Sequence, residues 1–343
     1  MFKNSSKLLF LITLISGTFI TISSNSWLSA WMGLEINLLS FIPLMMNYNN
    51  LMASEASLKY FLVQALASIV LLFSVILMML SINMNWYFNE FNSMYPMMIN
   101  SCLLLKMGAA PFHFWFPGVM EGLTWTNNFI LMTWQKIAPL MLISYFIIPP
   151  MFISIAVFSV LMGSIGGLNQ TSLRKIMAFS SINHLGWMLA AMLSNENLWE
   201  FYFFTYTFLS LTILMLFNLL KISHINQTFF IMNNNSLVKF LMFTLFLSLG
   251  GLPPFLGFMP KWLVIQYLTM NNYILPMIMM VCLTLITLYY YIRICYASFL
   301  INFWEMTWFN KIQLNMLTFR LILFFNFISM TGMLLVGFSY LLT

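Results

Sequence analysis

Four ionisable side chains stand in stretches that are otherwise apolar: Glu35 in WMGLEINLLSFIP, Lys106 in LLLKMGAAPFHFWFP, Lys136 in TWQKIAPL and Lys261 in GFMPKW. Each such group at the centre of a membrane helix costs about 2.5–3.5 kcal/mol on insertion scales, so the four together oppose insertion by about 10 kcal/mol or more. Pairing of Glu35 with one lysine would be an ordinary structural device. Three lysines against one glutamate cannot all be neutralised that way, so at least two must lie near water, be uncharged or pair only transiently. That is the arrangement of an ion or proton path. Free lysine and glutamate have pKa values near ~10.4 and ~4.3, and burial together with the approach or withdrawal of an opposite charge tunes such groups. A lysine whose carboxylate partner withdraws becomes a donor and, re-paired, an acceptor. His184 in SSINHLGW is a further candidate, equally suited to hydrogen bonding between helices beside Ser180, Ser181 and Asn183. Arg293, by contrast, lies near a helix end, from which it can snorkel.

These residues need elements that hold them in a bilayer. The chain has 343 residues, 62% hydrophobic and 6% charged, with seven acidic residues that are all glutamate. Soluble domains carry about a quarter charged residues, so the composition is that of a polytopic membrane protein. Its excess of Met, Phe, Ile, Asn and Leu over Ala, Gly and Val resembles the product of an AT-rich organellar genome. Cys102, Cys282 and Cys295 lie in apolar runs without metal-ligand spacing, which reads as core packing and excludes a zinc or iron–sulfur site. Neither a Gly-x-Gly-x-x-Gly nor a P-loop is present. The first apolar run leads into SNSWLSAW and a second span, so it reads as a retained helix rather than a cleaved signal.

Apolar windows of bilayer-crossing length fall at 8–23, 27–46, 58–82, 95–116, 125–145, 150–167, 174–193, 199–220, 238–270, 274–299 and 320–342. The expected fold is therefore an all-α polytopic membrane protein with about eleven transmembrane helices. The ninth window is too long for one straight crossing, and its GGLPP at Gly250 to Pro254 suggests two half-helices. If helices alternate direction, Lys3, Lys7, Lys59, Arg174, Lys175, Lys221, Lys239, Lys311 and Arg320 all fall on one side, while Glu90, Glu196 and Glu200 fall on the other. The positive-inside rule then places the N-terminus in the cytoplasm-like compartment, which in an organelle would be the matrix, and the C-terminus in the opposite one. The same distribution explains the net charge of +6 without a basic stripe, so nucleic-acid binding is excluded. Asn169-Gln170-Thr171 lies on the positive side and reads as a chance glycosylation match.

An offset of 143 residues places GAAPFHFWFP (Gly108 to Pro117) on GLPPFLGFMP (Gly251 to Pro260), with Gly, Pro, Phe and Pro coinciding. The helices carrying the two stretches run in opposite directions, so the repeats are inverted, approximately 8–145 and 150–299, within one membrane domain; 300–319 is expected to be a matrix loop and 320–343 a C-terminal helix. Paired Gly/Pro-interrupted spans in two halves point to a transport pathway. A break also frees backbone groups that only water or buried polar groups satisfy, which implies a wet interior beside Lys106 and Lys261.

The segments around Glu35, Lys106, Lys136 and Lys261, with LKYFLVQALAS (Leu58 to Ser68) and LNQTSLRKIMAFSSINHLGWM (Leu168 to Met188), resemble the NADH:ubiquinone oxidoreductase chain 2 family, insect-like in length and composition. Members are mitochondrially encoded, antiporter-like subunits of respiratory complex I. The resemblance implies an antiporter-like fold with two discontinuous helices, near 108–117 and 250–260, and proton translocation across the mitochondrial inner membrane. It implies that NADH, FMN, iron–sulfur clusters and ubiquinone act in other subunits, with no cofactor bound by this chain. Implied partners are other membrane-arm subunits, including neighbouring antiporter-like ones, and inner-membrane lipids such as cardiolipin. Glu35, Lys106, Lys136 and Lys261 match the family's key residues, and His113 and His184 match family histidines. The expected roles are Glu35 and Lys106 as coupling pair, Lys136 as central relay and Lys261 as terminal exchange site. Larger relatives carry about fourteen helices, and this chain begins at what would be their fourth. Where the broader family often has an acidic residue after FWFP, this chain has Gly118, leaving Glu121 as the carboxylate at that turn. A stand-alone cation/proton antiporter and a transport-free assembly scaffold are the alternatives.

Overall fold

The computed structural model describes residues 5–47, 50–83, 94–194, 196–228, 236–300 and 316–342. Lys3, Glu90, Lys311 and most of the expected 300–319 loop lie outside them. The chain divides into two compact units, residues 1–152 and 153–343. The first contains α1 (Ser5–Ile22), α2 (Trp27–Met45), α3 (Leu51–Asn83), α4 (Met94–Met107), α5 (Trp115–Gly122), α6 (Trp125–Met132) and α7 (Trp134–Ser144). Then α8 (Pro149–Leu168) leads into α9 (Leu173–Met192), α10 (Glu196–Leu220), α11 (Ser236–Gly250), α12 (Phe258–Met270), α13 (Ile274–Leu300) and α14 (Met316–Leu342). The described residues are thus all-α apart from one isolated bridge, Ser172 to His224.

Six of these helices are long and apolar enough to cross a membrane: α1, α2, α3, α8, α10 and α13. On α3, Leu58, Leu62, Leu66, Ile69 and Phe73 are all exposed, an arrangement that water would oppose and hydrocarbon favours. Four of the other expected spans fall short of that measure for two reasons. Those at 95–116, 125–145 and 238–270 each comprise two shorter helices. And α9 carries Arg174, Lys175, Ser180, Ser181, Asn183 and His184, while 17 of its 20 residues are buried by protein. A helix buried all round needs no continuous lipid-facing stripe.

The division of 125–145 departs from the single helix expected. Thr133 sits between α6 and α7, its hydroxyl donating to the Phe129 carbonyl at 2.7 Å, and the Lys136 amide reaches only back to Thr133 O. A threonine that bonds its own preceding turn competes with the helix ladder. Three residues beyond Lys136, Pro139 has no N–H for the Gln135 carbonyl.

Within the first unit α1 lies along α2, α3 lies against α2, α4 and α5, and α7 lies against α1, α4 and α6. The α1–α2 contact is close because a Cβ on Gly33 would stand 2.9 Å from the Gly17 carbonyl and 2.9 Å from the Thr21 amide. Small residues that let backbones approach are a common way of joining membrane helices. Within the second unit α10 touches α9, α11, α12 and α14, and α12 touches α9 and α13.

Candidate functional site

Each of the two Gly/Pro stretches begins with the same cap. At the end of α4, Gly108 has φ 75°, its amide donates to Leu105 O at 3.2 Å, and the Ala109 amide donates to Leu104 O at 3.1 Å. At the end of α11, Gly251 has φ 78°, its amide donates to Ser248 O at 3.2 Å, and the Leu252 amide donates to Leu247 O at 3.3 Å. This is the Schellman cap, in which a left-handed residue, best supplied by glycine, folds the chain back on the last carbonyls of a helix. The likeness continues beyond the caps. Phe112 N to Ala109 O (2.8 Å) and Phe116 N to His113 O (3.0 Å) match Phe255 N to Leu252 O (3.0 Å) and Met259 N to Leu256 O (3.3 Å), at the offset of 143 residues.

Side chains add further donors to carbonyls at the ends of these helices. Trp115 Nε1 donates to Leu105 O at 3.1 Å, and Gln64 Nε2 on α3 donates to the Lys106 carbonyl at 3.1 Å. At the second break Lys261, in the first turns of α12, turns its amine back and donates to Gly250 O at 2.8 Å. A cation there also meets the negative end of the α11 dipole. The two lysines are therefore placed differently, Lys106 in the last turn of a helix before the break and Lys261 beyond the break.

Lys106 and Lys136 line one cavity within the first unit, together with Asn37, Tyr60, Gln64 and Gln135. The space open to the centre of a water molecule is about 20 Å³, above the roughly 10–15 Å³ that one water needs. Lys136 is 1% exposed and its Nζ lies 5.1 Å from the centre of the Phe116 ring, within the range of a cation–π contact. Lys106 is also buried, and its Nζ has no hydrogen-bond partner. Glu35, half-buried on α2, lies near Lys106 without a hydrogen bond to it: its Oε1 is buried and equally unpartnered. A hydrogen-bonded string crosses the cavity wall, with Gln135 Nε2 donating to Asn37 Oδ1 at 3.0 Å and the Tyr60 hydroxyl donating to Gln135 Oε1 at 3.4 Å.

His113 is buried in the first break, its ring 4.4 Å from that of Phe114, and is not among the described residues lining the cavity. In the second unit His184 Nδ1 is 3.0 Å from the Tyr202 hydroxyl, and its ring centre is 5.0 Å from that of Tyr206. Arg293 is exposed, and Nη2 donates to the Leu168 carbonyl at the end of α8. The structure thus brings Lys106 and Lys136 together with Glu35 nearby, and sets Lys261 and His184 within the second unit. Sequence reasoning passed over Asn37, Tyr60, Gln64 and Gln135. Their signal was present in Gln135 beside Lys136 and in Gln64 within an apolar span.

Broken helices with buried lysines beside them define a class of membrane protein. Residues 24–287 match the family described as "NADH:quinone oxidoreductase/Mrp antiporter, TM". The fold is similar to a chain in "Respiratory complex I from Thermus thermophilus with bound Aureothin", with a TM-score of 0.86, 22% identity, and coverage of 97% of this chain and 79% of that one. NADH-ubiquinone oxidoreductase chain 2 of Anopheles gambiae is 57% identical over 341 residues, and that of Aedes aegypti 59% identical over 343, each alignment covering 99% of both chains. The chain belongs to the NADH-ubiquinone oxidoreductase chain 2 family.

Proposed function

We propose that this chain is a core membrane subunit of the proton-translocating NADH:ubiquinone oxidoreductase of the mitochondrial inner membrane, and that it supplies one proton path to that enzyme. Lys106 and Lys136 opening on one cavity, from different helices and with no acidic residue among the described residues of its wall, carry the reading. Glu35 biases Lys106 by approaching or withdrawing, Lys136 is the central relay, and Lys261 is the terminal exchange site; His113 and His184 are secondary members. Oxidation of NADH and reduction of ubiquinone, with FMN and iron–sulfur clusters, take place in other subunits. The partners are neighbouring membrane-arm subunits and anionic inner-membrane lipids such as cardiolipin. In this reading the chain crosses the membrane eleven times, with its N-terminus in the matrix and its C-terminus in the intermembrane space. The spans at 95–116 and 238–270 are discontinuous helices at the centres of two inverted repeats, 8–145 and 150–299. The matching hydrogen bonds of the two Gly/Pro stretches support the repeat.

The test is Lys136→Met in the assembled complex, with protons translocated per NADH oxidised and turnover measured together. A fall in either is expected; no change in both would sink the assignment. A pH gradient formed in response to added cations by the purified chain alone, in liposomes, would replace this reading with a stand-alone antiporter. Full pumping after replacement of all three lysines would leave the chain a scaffold.

A further inference from the structure

If Lys106 and Lys136 exchange protons, as the proposed function holds, a proton crosses their cavity by water, by a side chain of the wall, or by both in turn. A side chain passes a proton readily only when one atom carries both a donor hydrogen and a free lone pair. The amides of Asn37, Gln64 and Gln135 donate from nitrogen and accept at oxygen, two different atoms, so transfer through them would require the imidic-acid tautomer. Two of them are also committed: Gln64 Nε2 to the Lys106 carbonyl and Gln135 Nε2 to Asn37 Oδ1. Trp115 on the same wall is donor-only, and its N–H is given to Leu105 O. Among the described residues that line the cavity, Tyr60 carries the single hydroxyl.

We propose that Tyr60 is the side-chain proton relay between Lys106 and Lys136, and that Gln135 is the positioning residue that sets the rest orientation of its hydroxyl. The ring is 3% exposed and held in an aromatic cage, its centre 5.4 Å from that of Phe41 and 5.8 Å from that of Trp115. What remains free to move is the rotation of the O–H bond. Its contact with Gln135 Oε1 is 3.4 Å, well beyond the usual ~2.7–2.8 Å of O–H···O bonds, so a water or an amine in the cavity competes for the hydroxyl. The transfer balances without a charged phenol. An O–H bond forms as a proton arrives on the Tyr60 oxygen from one side, and the original O–H bond breaks as its proton leaves to the other. The neutral phenol then resets by rotating back toward Gln135, whose amide Asn37 holds.

Tyr60→Phe preserves the ring and its cage and removes only the oxygen. In the assembled complex, pumping turnover is expected to fall on the order of tenfold, less than the ~10²–10⁴-fold that a positioned proton-transfer group supplies, because water in the cavity carries part of the flow. The solvent isotope effect on turnover is expected to rise, because proton transfer then becomes limiting. Unchanged turnover overturns the relay, and so does a fall with no rise in the isotope effect, which is what a merely structural tyrosine would give. Gln135→Leu retains the hydroxyl and removes its rest partner; a several-fold fall with a raised isotope effect is expected, and no change overturns the positioning role. Lys136→Met measured alongside separates the two levels. Loss of pumping in that variant but not in Tyr60→Phe removes Tyr60 alone, whereas loss in neither removes the proposed function too.

Discussion

Lys261 Nζ donates to the Gly250 carbonyl at 2.8 Å, so α12, after the second break, supplies the amine that caps α11 before it. The amine reaches that carbonyl because the left-handed Gly251 folds the chain sharply back, and because Gly257 lets the backbone pass directly over Ser248 O. Charge and break are thus one construction, in which the proposed exchange site is also a structural cap.

Gly251→Ala tests that construction. An L-residue at φ 78° costs about 1–2 kcal/mol, and the new Cβ would stand 3.0 Å from Lys261 Nζ and 3.1 Å from its Cδ. The lysine must therefore shift away from Gly250. Pumping per NADH is expected to fall by a larger factor than the amount of assembled complex seen on native gels, because assembly feels only the strain while pumping also feels the displaced amine.

Gly33→Leu in α2 is expected to act the other way, through assembly. Its Cβ position is already 2.9 Å from the Gly17 carbonyl, and overpacking of this kind costs about 1–3 kcal/mol even where neighbours can yield. Here the neighbour is backbone, so α1 must separate from α2. Native gels should show several-fold less complex, with normal pumping per NADH in the fraction that assembles.

The two kinds of residue in the site differ in how legible they were. Lys106, Lys136 and Lys261 stood out because a charge in an apolar helix opposes insertion unless it has a use, and Gly108 and Gly251 because glycine beside proline breaks a helix. The lining amides did not stand out. Asn37, Gln64 and Gln135 are far apart in the chain, and only the packing of α2, α3 and α7 brings them to one wall. The break at Thr133 was hidden for another reason: no glycine or proline occupies it, and its cause is a hydroxyl bonded to the preceding turn. The sequence left two suppliers open for the backbone groups freed at a break, water and buried polar groups. Buried side chains act at both breaks: Gln64 and Lys261 donate to the Lys106 and Gly250 carbonyls, and Trp115 adds a donor to Leu105 O.

Gln64→Leu follows from that last point. It leaves the Lys106 carbonyl buried without its donor, a loss of about 1–3 kcal/mol, and removes one polar group from the cavity wall. Reduced thermal stability of the assembled complex is expected, with a smaller loss of pumping than Tyr60→Phe gives. An equal loss would mean that the wall amides, rather than the hydroxyl, govern transfer.

The second break is also held from outside by α14, where the Leu256 amide donates to Ser329 O at 3.0 Å. Asn326 fixes that helix, its Nδ2 donating to Thr244 Oγ1 on α11 at 2.9 Å and its Oδ1 accepting from Ser329 Oγ at 3.1 Å. Asn326→Leu removes both of these bonds and the contact of the Thr244 hydroxyl with Oδ1 at 3.1 Å. The partners keep backbone alternatives, Thr244 with Leu241 O at 3.0 Å and Ser329 with Asn326 O at 2.8 Å, so no polar atom is stranded. The loss should therefore lie near the low end of the ~1–3 kcal/mol range. Asn326→Asp keeps the acceptor for Ser329 and for the Thr244 hydroxyl, which donates to Oδ1 at 3.1 Å, but puts a negative charge at a position 2% exposed. A buried carboxylate held by two neutral hydroxyls is still more costly than a lost amide bond, because hydroxyls do not neutralise its charge. Native gels should show Asn326→Asp severely depleted of assembled complex and Asn326→Leu only mildly so. The reverse order would mean that α14 is held by shape alone and that the Asn326 bonds contribute little to anchoring the break.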